Sequence, residues 1–152
     1  VDTRGAGAGD VFYDLDTTNN IFTATWDAVG YYNQNTSPVN SFQLRLTDQG
    51  LGNFDIEFRY ETIGWTVGDV SGTEHARAGF NSGNGTDYFE IAGSGNEAAM
   101  LNLVNTSNVN VAGLYQWQVR NGSVVGVPEP STLLLLGSGL VGLGYVRRKF
   151  KR

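Results

Sequence analysis

Residues 41–60 read Ser-Phe-Gln-Leu-Arg-Leu-Thr-Asp-Gln-Gly-Leu-Gly-Asn-Phe-Asp-Ile-Glu-Phe-Arg-Tyr. Phe42, Leu44 and Leu46 alternate with Gln43 and Arg45, and Phe54, Ile56, Phe58 and Tyr60 alternate with Asp55, Glu57 and Arg59. A period of two puts every apolar side chain on one face of an extended chain and every polar one on the other. The glycine-rich segment 48–53 between them is turn chemistry, so the stretch predicts a β-hairpin with one face buried.

The same pattern extends outward in both directions. Residues 11–15, 21–26, 76–80, 88–91 and 115–120 read as further strands; in the last, Tyr115, Trp117 and Val119 share a face opposite Gln116, Gln118 and Arg120. Loops rich in Asn, Gly, Ser and Thr separate them at 33–40, 81–87 and 93–97. No stretch keeps a helical period. Half-buried strands joined this way predict an all-β, antiparallel, sandwich-like domain over residues 1–121.

Composition agrees with a folded body carrying a different appendage. The chain has 152 residues, 12% aromatics, 21 glycines and no cysteine. Aromatics at that level support a core, and the lack of thiols removes disulfides, thiolate metal sites and cysteine nucleophiles together. Residues 1–127 hold five arginines against fourteen acidic residues, a net −9, whereas residues 128–152 hold five cations and one acid, a net +4. So acidic a body repels phosphate backbones, which argues against nucleic acid as a partner.

The alternation stops at 122–126, so residues 122–127 read as a linker. Pro128-Glu129-Pro130 follows; two prolines around one residue impose an extended, unpaired backbone. Residues 131–146 are 16 uncharged positions rich in Leu and Gly. As a helix they would span about 24 Å, against a hydrocarbon core of about 30 Å. Arg147, Arg148, Lys149, Lys151 and Arg152 come next and would stay on the cytoplasmic side among anionic headgroups, leaving the acidic body outside.

These three parts, in this order, closely resemble the PEP-CTERM sorting signal. The resemblance implies that Pro128, Glu129 and Pro130 are recognised by an inner-membrane exosortase that detaches the protein from its anchor, with residues 131–146 a single transmembrane helix. It further implies export in a Gram-negative-type bacterium, a transient stay in the inner membrane, and delivery to the cell surface or the extracellular polymer. Gly137-Ser138-Gly139-Leu140-Val141-Gly142 inside the tag fits G-x-G-x-x-G, but the strand before it and the acidic residue some 20 positions on that dinucleotide binding requires are lacking.

The body resembles the nidogen-like (NIDO) extracellular domain. The segments that carry this are Asp2-Thr3-Arg4, Val11-Phe12-Tyr13, Thr25 to Tyr31, Asn40 to Gln43, Phe58-Arg59-Tyr60 with Ile63-Gly64-Trp65, and, most distinctively, Ala78 to Gly85. Leu101-Asn102-Leu103 and Asn105 to Val109 complete the series ahead of the closing aromatic strand. The resemblance implies a non-enzymatic matrix or surface module that begins here in mid-domain. It carries two further expectations, a secretion signal ahead of Val1 and an unpaired sheet edge or partly exposed apolar face.

Chemistry-bearing residues are sparse. His75 is the single histidine, beside Glu74 and Arg77, and reads as structural; there is no G-x-S-x-G, Walker loop or H-E-x-x-H. Asp55 and Glu57, next to Arg59, read as a solvated face with cross-strand pairing. Asp14, Asp16 and Asn19 offer the hard oxygen ligands calcium takes, without the glycine and distal glutamate of an EF-hand; a turn between strands is the favoured alternative. No other cofactor is expected. The tryptophans Trp26, Trp65 and Trp117 are core candidates that could instead stack on sugars. The function expected is a structural or adhesive surface protein contacting exopolysaccharide or other surface proteins, with a glycan-binding module as the alternative.

Overall fold

The computed structural model describes residues 1–70 and 72–126. Six strands form one antiparallel sheet: β1 (Val11–Asp16), β2 (Ile21–Tyr31), β3 (Asn35–Gly50), β4 (Asn53–Ile63), β7 (Leu114–Arg120) and β8 (Ser123–Gly126). They lie side by side in that order. A separate ribbon pairs β5 (Gly79–Asn81) with β6 (Tyr88–Glu90). It is followed by a one-turn helix, α1 (Glu97–Leu101), and a 3-10 turn (Asn102–Val104).

The hairpin read from residues 41–60 is β3–β4. Its register sets Phe42 opposite Tyr60, Leu44 opposite Phe58 and Leu46 opposite Ile56. On the far side of β4, Phe58 faces Tyr115, Ile56 faces Trp117 and Phe54 faces Val119. One face of the sheet is therefore a continuous apolar surface. Antiparallel pairing across three strands permits no one-residue slip, which would turn each apolar set to the solvent side.

Four expectations change on contact with the structure. The loop expected at 33–40 is largely the start of β3, paired with β2 through Asn35 and Tyr31 and through Asn40 and Val29. Register shifts there hide the alternation. The loop expected at 93–97 ends in α1, whose amino end is capped by the Asn96 side chain accepting from Ala99 N at 3.1 Å; five residues are too few to show a helical period. The linker expected at 122–127 holds β8, with Ser123 to Gly126 opposite Arg120 to Trp117 around the tight Asn121-Gly122 turn. Finally, the second layer of the expected sandwich is only the ribbon with α1, and it covers one half of the sheet.

That covered half is the core. Ile56, Ile91, Met100, Leu103, Tyr115, Trp117 and Val119 are buried together. The rings of Phe58, Phe80 and Phe89 lie 5.3, 5.4 and 5.1 Å from that of Trp117, within the range of favourable aromatic pairs. Over β1 the same apolar face is open: Tyr13 is 78% exposed, Leu15 62% and Val11 42%. β1 has a neighbour on one side only.

Among the described residues, no helix is long and apolar enough to cross a membrane. The segment expected to do so, 131–146, lies outside the described residues, as do Pro128, Glu129, Pro130 and the basic cluster Arg147, Arg148, Lys149, Lys151 and Arg152.

This division has a measurable consequence. Trp117→Ala should cost about 3–5 kcal/mol, as for other large aromatic truncations in a core, and Tyr13→Ala should stay within about 0.5 kcal/mol of the parent. Urea unfolding of the two variants decides it. Equal losses would show that the open half is as well packed as the covered half.

Candidate functional site

The apolar face is open where residues 64–78 cross it. Among its described residues this segment carries no strand, and it is held by two buried polar side chains. Asn40, at the bend of β3, accepts hydrogen bonds at Oδ1 from Gly64 N (2.8 Å) and Trp65 N (3.1 Å), and its Nδ2 donates to Trp65 O at 3.0 Å. Thr66, also buried, places Oγ1 2.9 Å from His75 Nδ1 and accepts at its carbonyl from Ala76 N at 2.7 Å. His75 is thus a strut of the loop.

Between this loop and the sheet lies a cleft of about 360 Å³, whose walls include Trp26, Phe42, Tyr60, Trp65, Met100 and Leu103. Trp26 and Phe42 stack with centroids 4.8 Å apart and planes 15° from parallel. Burial raises the Tyr60 phenol above its ordinary value, with the neighbouring Tyr115 adding to the effect, so it remains a neutral hydroxyl at physiological pH. Arg77 reaches the rim, but its guanidinium is engaged by Glu90 through two hydrogen bonds of 2.6 Å. The cleft offers ring faces and aliphatic surface with few polar groups. It suits apolar or ring-shaped groups.

The opposite face of the sheet is polar. Glu57 accepts from Arg59 and from Arg45 at Oε1 and from Gln116 at Oε2; Asp55 accepts from Arg120 and Gln49. The two carboxylates read from the sequence as a cross-strand charge ladder are engaged in that way. Burial pushes the Glu57 carboxyl up, but the hydrogen bonds from Arg59 and Gln116 and the charges of Arg59 and Arg45 outweigh it, leaving it below the ordinary 4.5.

The calcium candidates separate. Asp16 Oδ1 accepts from Thr18 N and Asn19 N at 2.9 and 3.0 Å, and Oδ2 from Asn19 Nδ2 at 2.6 Å, closing the β1–β2 turn. Asp14 takes no part in this network, and among the described residues no three His, Cys, Asp or Glu side chains cluster as metal ligands. Trp117 is in the core at 5% exposure, whereas Trp26 and Trp65 are half-buried in the cleft wall, and Trp65 donates its indole N–H to Val29 O.

The sequence reading singled out no role for Asp2 or Asn40. Asp2 is buried, pairs with Arg4 at 2.6 Å, accepts from Gln34 N at 3.1 Å and bridges its backbone to Gly30. The signal was present in the Asp-Thr-Arg and Asn-Ser-Phe-Gln segments.

This architecture meets its relatives at the level of sequence. The Nidogen-like domain matches residues 2–121. The chain belongs to the nidogen-like domain family. The PEP-CTERM protein-sorting motif matches residues 126–149. Alpha-tectorin of Gallus gallus is 35% identical over 129 residues, covering 79% of this chain and 6% of that protein. Alpha-tectorin of Mus musculus is 38% identical over 108 residues, covering 65% and 5%. Nidogen of Drosophila melanogaster is 31% identical over 105 residues, covering 65% and 8%. The chain thus spans less than a tenth of the length of these relatives. No solved structure gives a significant match. The domain and the sorting motif together mark an exported protein of the cell surface or extracellular space.

The charge ladder makes a pH prediction. A carboxylate whose folded value is lowered contributes stability fully present above its unfolded value, and lost as pH falls through the folded one. Glu57→Gln should therefore lower the melting temperature at pH 7 and flatten its decline on acidification below about pH 4.5. Melts recorded from pH 7 to pH 3 test this; an acid profile parallel to that of the parent would remove Glu57 from the account.

Proposed function

We propose that this is a non-enzymatic structural or adhesive component of a bacterial surface or its exopolysaccharide matrix, held briefly in the inner membrane by its tail and released by an exosortase. The observation that carries the reading is the join of a nidogen-like body to a PEP-CTERM motif in one chain. Pro128, Glu129 and Pro130 serve as the recognition element. Residues 131–146 act as the transient anchor, and the cations Arg147 to Arg152 stop transfer on the cytoplasmic side. The open apolar face and the aromatic cleft are contact surfaces for other matrix components.

In a host encoding an exosortase, mass spectrometry of the released protein should place its carboxyl end close to residues 128–130. Pro128→Ala combined with Glu129→Ala should leave a membrane-retained species heavier by the tag. Released protein that still carries Arg147 to Arg152 would make the tail a plain anchor.

Glycan binding is the second reading, favoured by the Trp26–Phe42 stack beside the cleft. Sugars seated there should shift tryptophan fluorescence in a saturable way that Trp26→Ala abolishes. A protein that only scaffolds shows no saturable response.

A further inference from the structure

The sorting motif and the folded body overlap. The motif match opens at Gly126, and Gly126 is the last residue of β8, paired with Trp117 in the sheet. One residue, Val127, separates that pair from Pro128. A processing enzyme takes its substrate as an extended, unpaired backbone, because a strand already in a sheet has given its N–H and C=O groups to a neighbour. With β8 seated, the chain up to Gly126 is committed to β7.

β8 is also the part of the sheet built to let go. It is an edge strand of four residues, all exposed. Among the described residues none of its side chains makes a hydrogen bond, and β7 is its one partner in the sheet. Its other end is pinned: the Asn121-Gly122 turn has both residues at positive φ, 51° and 74°, and Asn121 N donates to Asn53 Oδ1 at 2.9 Å. Fraying therefore starts at Gly126 and stops at the turn, and the core residues Trp117 and Val119 keep their cover from the ribbon.

We propose that β8 is a releasable strap: the substrate of the processing enzyme is the state in which Val125 and Gly126 have left β7, and strand pairing sets the rate at which the tag is removed. This rests on the processing reading above. Local opening of an edge strand of this kind lies at the low end of the free energies that folded proteins sample, so processing is slowed by the pairing and not blocked.

The chain has no cysteine, so an engineered pair is its only thiol pair. Gln118 and Val125 are register partners, and cross-strand partners lie at Cα separations a disulfide can bridge. In a host encoding an exosortase, pulse–chase of the full chain with Gln118→Cys and Val125→Cys should show tag removal slowed at least about tenfold relative to the parent. Dithiothreitol should restore the parental rate, and each single cysteine variant should behave as the parent. A flexible Gly/Ser spacer of about six residues after Gly126, which moves the motif clear of the sheet by roughly 13 Å, should restore processing of the locked chain without reductant. Parental-rate processing of the locked chain overturns the strap, as does a locked chain that stays slow with the spacer in place. Failure to process the parent at all refutes the exosortase reading itself, and the strap with it.

Discussion

The packing of Phe80 and Phe89 onto Trp117 is the contact on which the rest of the body depends. A six-stranded sheet with one apolar face gains little from its backbone bonds alone, since water would satisfy the same groups in the unfolded chain. What it gains comes from shielding that face. Here the shield is small: a ribbon of two three-residue strands and one helical turn. It is placed over β4 and β7, where Ile56, Tyr115, Trp117 and Val119 converge, and Met100 and Leu103 close the far side.

Concentrating the cover in one place leaves the other half of the same face to the surroundings. The side chains of β1 keep the period-two pattern of core residues, yet Val11, Tyr13 and Leu15 stand open. Aromatic and aliphatic area of this kind is where soluble proteins meet partners. The cleft beneath residues 64–78 borders it, held in shape by Asn40 and Thr66 rather than by further apolar packing. The polar face behaves differently: its carboxylates and guanidinium groups are mutually engaged.

The tag and the body read as separate modules in the sequence, and the structure ties them at one edge. Gly126 is at once the last residue of β8 and the first residue of the sorting match. A boundary of that kind couples the stability of one edge strand to the accessibility of the segment beyond it, so small changes in local pairing reach a processing step without touching the core.

How much of this was legible beforehand follows from the range of each interaction. The β3–β4 hairpin and the face of β7 were readable because alternation is local: neighbouring side chains on a strand point opposite ways whatever the strand packs against. The sorting signal was readable for the same reason, as an ordered run of residue types. The start of β3 was hidden because bulges break the period there, and α1 because five residues hold no period. β8 was hidden because Ser-Val-Val-Gly is too short and too mixed to alternate; its pairing comes from the turn chemistry of Asn121-Gly122 and the waiting edge of β7. Which half of the apolar face is covered, that Trp117 is buried while Trp26 lines the cleft, and that Asn40 pins the loop over the cleft are contacts between residues far apart in the chain. By itself the sequence determined that this is a two-faced β body with a sorting tag. The tertiary structure decided which surface remains for a partner, because solvent exposure is a property of what packs on a strand and not of the strand's own pattern.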